Sequence, residues 1–169
     1  MPDGKRIYLS FGSNLGDRAA NLERAIAALP EAGVRVLRRS SLYETEPVSC
    51  PPNSPKFLNA ALEIEYEGVP KTLLKKVLAY EVAHDRNRDL PKNAARTIDI
   101  DILYFGEVEI LDKDFVVPHP RIAERRFVLL PLSTIRSDMI VKGTGKTVRT
   151  LLRELPARDG EIKFVQQDW

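Results

Sequence analysis

The chain has 169 residues, enough for one domain (residues 1–169) with a real core and no covalent staples. Apolar residues make up 43% and charged residues 30%, and 26 Lys and Arg against 24 Asp and Glu leave a net charge of only +2, so bulk charge selects no nucleic-acid or acidic partner. The single cysteine, Cys50, excludes an intrachain disulfide, and neither a signal-peptide run nor a stretch of ~20 apolar residues occurs. The expectation is a cytoplasmic protein with no membrane partner.

Arg6 to Phe11 (R-I-Y-L-S-F) reads as a strand ending in the turn cluster G-S-N-L-G-D. Asp17 is placed to cap a helix whose inner face carries Leu22, Ala25, Ile26 and Leu29, and Pro30 stops it. Val34 to Tyr43 reads as a second strand with a polar centre, R-R-S-S. The following T-E-P-V-S-C-P-P-N-S-P holds four prolines and must be irregular. Phe57 to Glu65 is a third strand. Leu58, Ala60, Leu62 and Ile64 share one face; Phe57, Asn59, Ala61 and Glu63 share the other.

Pro70 opens a second helix, with Leu73, Leu74, Val77 and Leu78 as its apolar stripe and an end near Asp85. After the charged loop R-N-R-D-L-P-K-N-A-A, Thr97 to Phe105 reads as a strand. The order β-α-β-β-α-β predicts an α+β, ferredoxin-like core. The remainder adds a short strand at Val108 to Leu111, a V-V-P-H-P-R turn and helical pieces from Ile122 to Ile135 broken at Pro131. Thr147 caps a short helix ending near Leu155, and Ile162 to Val165 reads as a last strand.

The strand T-I-D-I-D-I-L-Y-F sets carboxylates where strands disfavour them. Asp99 and Asp101 project from one face, with α-carbons roughly 6.5 Å apart. Two anions held that close call for a cation, and magnesium takes such oxygen ligands together with substrate phosphates. Two ordinary surface aspartates fit the same spacing.

Arg86, Arg88, Lys92 and Arg96 precede the pair, and His119, Arg121, Arg125 and Arg126 follow it. Arginines beside metal-binding carboxylates suit a polyphosphate, although each alone also suits a solvated loop. Arg96 has the opposite parity from the aspartates if the strand is already regular there. Phe57, Asn59 and Phe127 suit a flat heterocycle, stacked by rings and read at its edge by an amide; each Phe alone equally suits the core. Glu81 falls on the apolar stripe of the second helix, where a buried carboxylate needs a partner.

The segments Y-L-S-F-G-S-N-L-G-D, Y-E-T-E-P-V, F-L-N-A-A, the run from R-N-R to R-T-I-D-I-D-I-L-Y-F-G, and V-P-H-P-R-I-A-E-R-R-F-V-L-L-P-L occur in this order over residues 7 to 135. In that joint order the chain resembles the hydroxymethyl-dihydropterin pyrophosphokinases of folate biosynthesis. The resemblance implies a ferredoxin-like core and pyrophosphoryl transfer from ATP to the hydroxymethyl group of 6-hydroxymethyl-7,8-dihydropterin, leaving AMP. It implies two magnesium ions on Asp99 and Asp101, with Arg86 and Arg96 also catalytic. Arg86, Arg88, Arg96, Ile102, His119 and Arg125 would bind ATP, Ile102 packing against adenine. Phe57 and Phe127 would sandwich the pterin, Asn59 would read its edge with main chain near Thr45 and Val48, and Gly12 and Asn14 would line the cleft. A monomer acting on small molecules, without nucleic acid, is implied.

Departures from the family pattern also occur. Asn93, Ala94 and Ala95 stand where the family has an aromatic-Gly-Pro triplet on a loop that closes over ATP, leaving Leu90 or Lys92 to take its part. Asp89 stands where a basic residue would help phosphate binding. Two other readings share the fold: an RNA-binding module, which wants aromatics on its central strands, and a non-catalytic nucleotide sensor with a defective lid.

Overall fold

The computed structural model describes residues 6–84, 94–157 and 160–169. In chain order its first half contains β1 (Ile7–Ser13), α1 (Arg18–Ala28), β2 (Val34–Arg39), β3 (Leu42–Thr45), β4 (Phe57–Tyr66), α2 (Pro70–Ala83) and β5 (Asp99–Phe105). Then follow the hairpin β6 (Ile110–Asp112) and β7 (Phe115–Val117), α3 (Arg126–Arg136), the hairpin β8 (Ile140–Val141) and β9 (Lys146–Thr147), α4 (Val148–Glu154) and β10 (Ile162–Gln166). The main sheet runs β10-β3-β4-β1-β5, with β2 also paired to β4, and every pairing is antiparallel.

Period-two alternation divides this sheet between two layers. Ile7, Leu9 and Phe11 of β1, Leu58 to Ile64 of β4 in alternation, and Ile98, Ile100 and Ile102 pack against Leu22, Ile26, Leu73 and Val77 of α1 and α2. Tyr8, Ala61, Leu103 and Tyr104 pack on the other side against Val128, Leu129 and Leu132 of α3 and Val148 and Leu151 of α4. Between β1 and β5 the register shifts after Tyr8, so that Tyr8 faces Tyr104 but Leu9 faces Ile102. That bulge at Leu103 lets two consecutive apolar residues enter the α3 layer.

The helices form for the reasons their ends announce. Asp17 Oδ1 accepts from Ala20 N at 3.1 Å and caps α1. A tight turn through Pro30 follows, and Gly33, at φ 79°, closes it in the left-handed region. Pro70 occupies the first turn of α2, which is described as far as Ala83; the expected end at Asp85 lies outside the described residues.

Three expectations change. The strand expected over Val34 to Tyr43 is broken at Ser40 and Ser41. Ser40 N donates to the Ala61 carbonyl (2.9 Å) and its Oγ accepts from Ala61 N (2.7 Å), so a side chain replaces one rung of the ladder. Pro131 does not break the helix: α3 runs through it, Pro131 itself being buried beside Leu132. Only the Phe127 carbonyl loses its donor, and the apolar face holds the turn together. The strand near Val108 forms later, at Ile110–Asp112, and pairs with Phe115–Val117 as an unforeseen hairpin.

Contacts around Glu63 and Trp169 also fix the sheet. Glu63, fully buried on the α3 face, ion-pairs with Arg6 and, at 3.7 Å, with Arg38. Trp169 Nε1 donates to the Ser40 carbonyl at 2.8 Å, while Arg39 donates to the Trp169 carbonyl at 3.0 Å and lies over its ring.

Candidate active site

At one end of the α3 face the sheet carries no helix, and small side chains leave a cleft of about 490 Å³. Register builds its floor. One row across the sheet sets Asn59 of β4, Gly12 of β1 and Asp99 of β5 side by side; the next sets Ala61, Ser10 and Asp101. A methyl on Gly12 would stand 3.1 Å from Asn59 Oδ1 and 3.4 Å from the Phe57 ring. A side chain there would push Asn59 aside at the point where the amide side and the carboxylate side of the floor meet.

On the carboxylate side, Asp99 and Asp101 both line the cleft while Ile100 and Ile102 enter the core beneath. Arg96 lies just before the regular strand, so strand parity does not govern it, and it lines the same cleft. Its Nη1 donates to Asp99 Oδ1 at 3.0 Å. Arg96 N donates to Asn14 Oδ1 (2.8 Å) and Asn14 N donates to the Arg96 carbonyl (3.2 Å). Asn14 is 2% exposed and holds Arg96 from behind; it does not line the cleft.

The segment after β7 and the start of α3 form the opposite wall with His119, Arg125 and Phe127. His119 Nδ1 accepts from Arg121 N at 3.2 Å, which leaves the proton of the neutral ring on Nε2. Burial, then Arg125 and Arg121, push its pKa down to about 4, with Asp99 pulling the other way. Arg125 lies 5.5 Å over the Phe127 ring. Burial and Arg121 push its pKa down, and Asp101 and Asp99 oppose them.

The depressed His119 value has a signed consequence. The unfolded chain takes up this proton below about 6.5 and the folded chain only near 4, so His119 favours folding above pH 6.5 and that contribution is lost as pH falls to 4. The chain has two histidines, so NMR titration of the ligand-free protein can follow each. His119 is expected to titrate near pH 4, and a midpoint close to 6.5 would refute the neutral assignment.

On the amide side, Asn59 Nδ2 donates to Thr45 Oγ1 at 2.6 Å, which fixes the plane of the buried amide. Phe57, Thr45 and Val48 line this end, with Phe127 on the facing wall. Cys50, whose Sγ donates to the Val48 carbonyl at 3.3 Å, also reaches the cleft, and burial pushes its thiol up.

Residues 8–137 match the family described as 7,8-dihydro-6-hydroxymethylpterin-pyrophosphokinase (HPPK). The chain belongs to this family. A 2-amino-4-hydroxy-6-hydroxymethyldihydropteridine pyrophosphokinase of Methylorubrum extorquens is 41% identical over 89% of this chain and 93% of its own length. The protein of the same name from Bacillus subtilis is 37% identical over 95% of this chain and 96% of its own. Among solved structures, the HPPK-DHPS of Plasmodium falciparum superposes with a TM-score of 0.70 at 15% identity, over 88% of this chain and 45% of that one. The chain thus spans less than half of that structure, whose likeness concerns the fold: a mixed α/β domain with an antiparallel sheet and, among the described residues here, four α-helices. Membership in HPPK removes the RNA-module reading.

Of the residues expected at the site, Gly12, Thr45, Val48, Phe57, Asn59, Arg96, Asp99, Asp101, His119, Arg125 and Phe127 meet around one cavity. Ile102 does not: its side chain is 5% exposed, in the core under the opposite face, because it shares parity with Ile100. Arg86 and Arg88, with Asp89, Leu90, Lys92 and Asn93 of the expected lid, lie outside the described residues. Ser10, Glu46 and Cys50 line the cleft unforeseen. Ser10 was detectable, since it shares parity with Gly12 on the first strand; the other two sit in the irregular proline-rich loop, which has no periodicity to read.

The acidic pair fits magnesium. Among the described residues no cluster of three or more His, Cys, Asp or Glu forms a closed metal cage. Two carboxylates with an arginine-bearing, anion-binding wall opposite leave the remaining coordination to water and phosphate, the arrangement magnesium favours.

Proposed function

We propose that this cleft is where the chain moves the pyrophosphoryl group of ATP onto 6-hydroxymethyl-7,8-dihydropterin, with Asp99 and Asp101 holding two magnesium ions. The activity belongs to the family: the chain is a pyrophosphokinase of folate synthesis, and ATP is its co-substrate. The observation that carries the assignment of roles is that the paired carboxylates and the Phe57–Asn59 end open into one cavity, divided only by Gly12.

Attack on the β-phosphorus asks for alignment and for neutralisation of spreading charge rather than covalent help. Bound magnesium supplies Lewis-acid neutralisation of the phosphate oxygens. Arg96 and Arg125 add fixed positive charge, and neutral His119 adds an Nε2–H donor that costs no proton. Phe57 and Phe127 sandwich the pterin, and Asn59, its amide oriented by Thr45, reads the ring edge. Arg86 and Arg88 complete the triphosphate contacts, and adenine meets the backbone near Ile102. The order β2/β3-β4-β1-β5 with α1 and α2 on one face supports reading the core as ferredoxin-like. The single domain acts as a cytoplasmic monomer on small molecules; no helix among the described residues is long and apolar enough to cross a membrane.

Incubation with ATP, magnesium and the hydroxymethyl-dihydropterin is expected to release AMP only when the pterin is present. Release of ADP, or of AMP without the pterin, would overturn the proposal.

A further inference from the structure

We infer that Glu81 is a positioning residue for the acidic pair, acting from beneath the sheet through the main chain of β5. The inference rests on the reading above that Asp99 and Asp101 hold the metal. Glu81 follows Leu73 and Val77 on the buried stripe of α2, a place where an apolar side chain packs without cost. Instead the position holds a carboxylate with 0% exposure. Burying that charge costs several kcal/mol unless hydrogen bonds answer it.

One bond that answers it bears on the site. Glu81 Oε1 accepts from Ile100 N at 2.7 Å. Ile100 is the residue between Asp99 and Asp101, and among the described residues β5 is an edge strand, with β1 on one side only. Its outer edge is met at Ile100 by Glu81 and at Leu103 by His119 N, which donates to the Leu103 carbonyl at 2.9 Å. The segment carrying both carboxylates is thereby held from two directions, by the ladder to β1 and by the Glu81 bond from α2. A rotation of that segment would swing both carboxylates at once. Side chains standing behind metal ligands commonly set their aim in this way.

The test compares Glu81→Met, which keeps volume and loses the acceptor, with Glu81→Gln, which keeps an acceptor without the charge. In the metal-free protein, hydrogen exchange at the Ile100 amide should speed up by about tenfold or more in the Met variant and stay near wild type in the Gln variant. Calorimetry with magnesium and a non-hydrolysable ATP analogue should show affinity about 10- to 100-fold weaker for Met, with Gln restoring most of it. Should Glu81→Met not fold, Glu81→Asp, which withdraws the acceptor by one methylene, takes its place with the same expectations. Met binding as tightly as wild type, or Gln as weak as Met, would overturn the positioning role. If Asp101→Ala binds magnesium and the analogue as wild type does, the metal reading itself has failed, a result distinct from either.

Discussion

Asp101→Ala is expected to lower kcat by about a thousandfold or more, beyond the 10²–10³ typical of losing one electrostatic donor. Asp101 is half-buried, lines the cleft opposite Ser10, and leaves no core void when truncated. On the metal role proposed above, removing it takes away an oxygen ligand that neither Asp99 nor Arg96 can replace, Arg96 being a cation. The thermal midpoint is expected to move by less than about 3 °C, since no buried apolar contact is lost. Steady-state AMP release and a circular-dichroism melt decide the matter together. Near-normal turnover in a folded variant would remove the metal assignment.

Arg96→Ala is the second large expectation, a loss of about 10²–10³ in kcat with a smaller change in the apparent affinity for ATP. The Arg96 side chain is 17% exposed and paired to Asp99 at 3.0 Å, and its main chain is clamped by Asn14. Its charge is thus delivered at a fixed point, which favours a transition state over a ground state. Arg96→Lys should recover only part of the loss, because an ammonium cannot reproduce two parallel N–H donors. Single-turnover measurements at saturating ATP separate this outcome from simple weakening of nucleotide binding; full activity in Arg96→Lys would show that charge alone suffices.

Much of this architecture could be read directly wherever one periodicity was uninterrupted. Leu58 to Ile64 against Asn59 to Glu63, and Ile98 to Ile102 against Asp99 and Asp101, sort onto the two faces that alternation requires. Glu81 announced itself by standing on an apolar stripe, and the structure supplies the Ile100 amide as its partner. The failures came where side chains substitute for backbone or where a residue acts indirectly. Ser40 continues a ladder through its hydroxyl, which no propensity for serine conveys. Asn14 works by gripping Arg96 rather than facing the cleft, a role that depends on a partner 82 positions away. Pro131 stays helical because burial of its neighbours outweighs one missing donor. Ile102 shares the inward parity of Ile100 and sits in the core, which alternation along the strand already requires.

The contacts of Trp169 give the proposed pterin end of the cleft a brace anchored far along the chain. Trp169 holds Ser40, Ser40 holds Ala61, and β10 lies along β3 with Ile162 opposite Thr45, the hydroxyl that orients Asn59. Trp169 and β10 lie past residues 8–137, the stretch that matches the family. On the roles proposed above, the tail thus braces the ring-binding end of a floor that β1 joins to the carboxylate end. A relative with a different tail could retune how firmly the heterocycle is gripped while leaving the charged half of the floor as it stands.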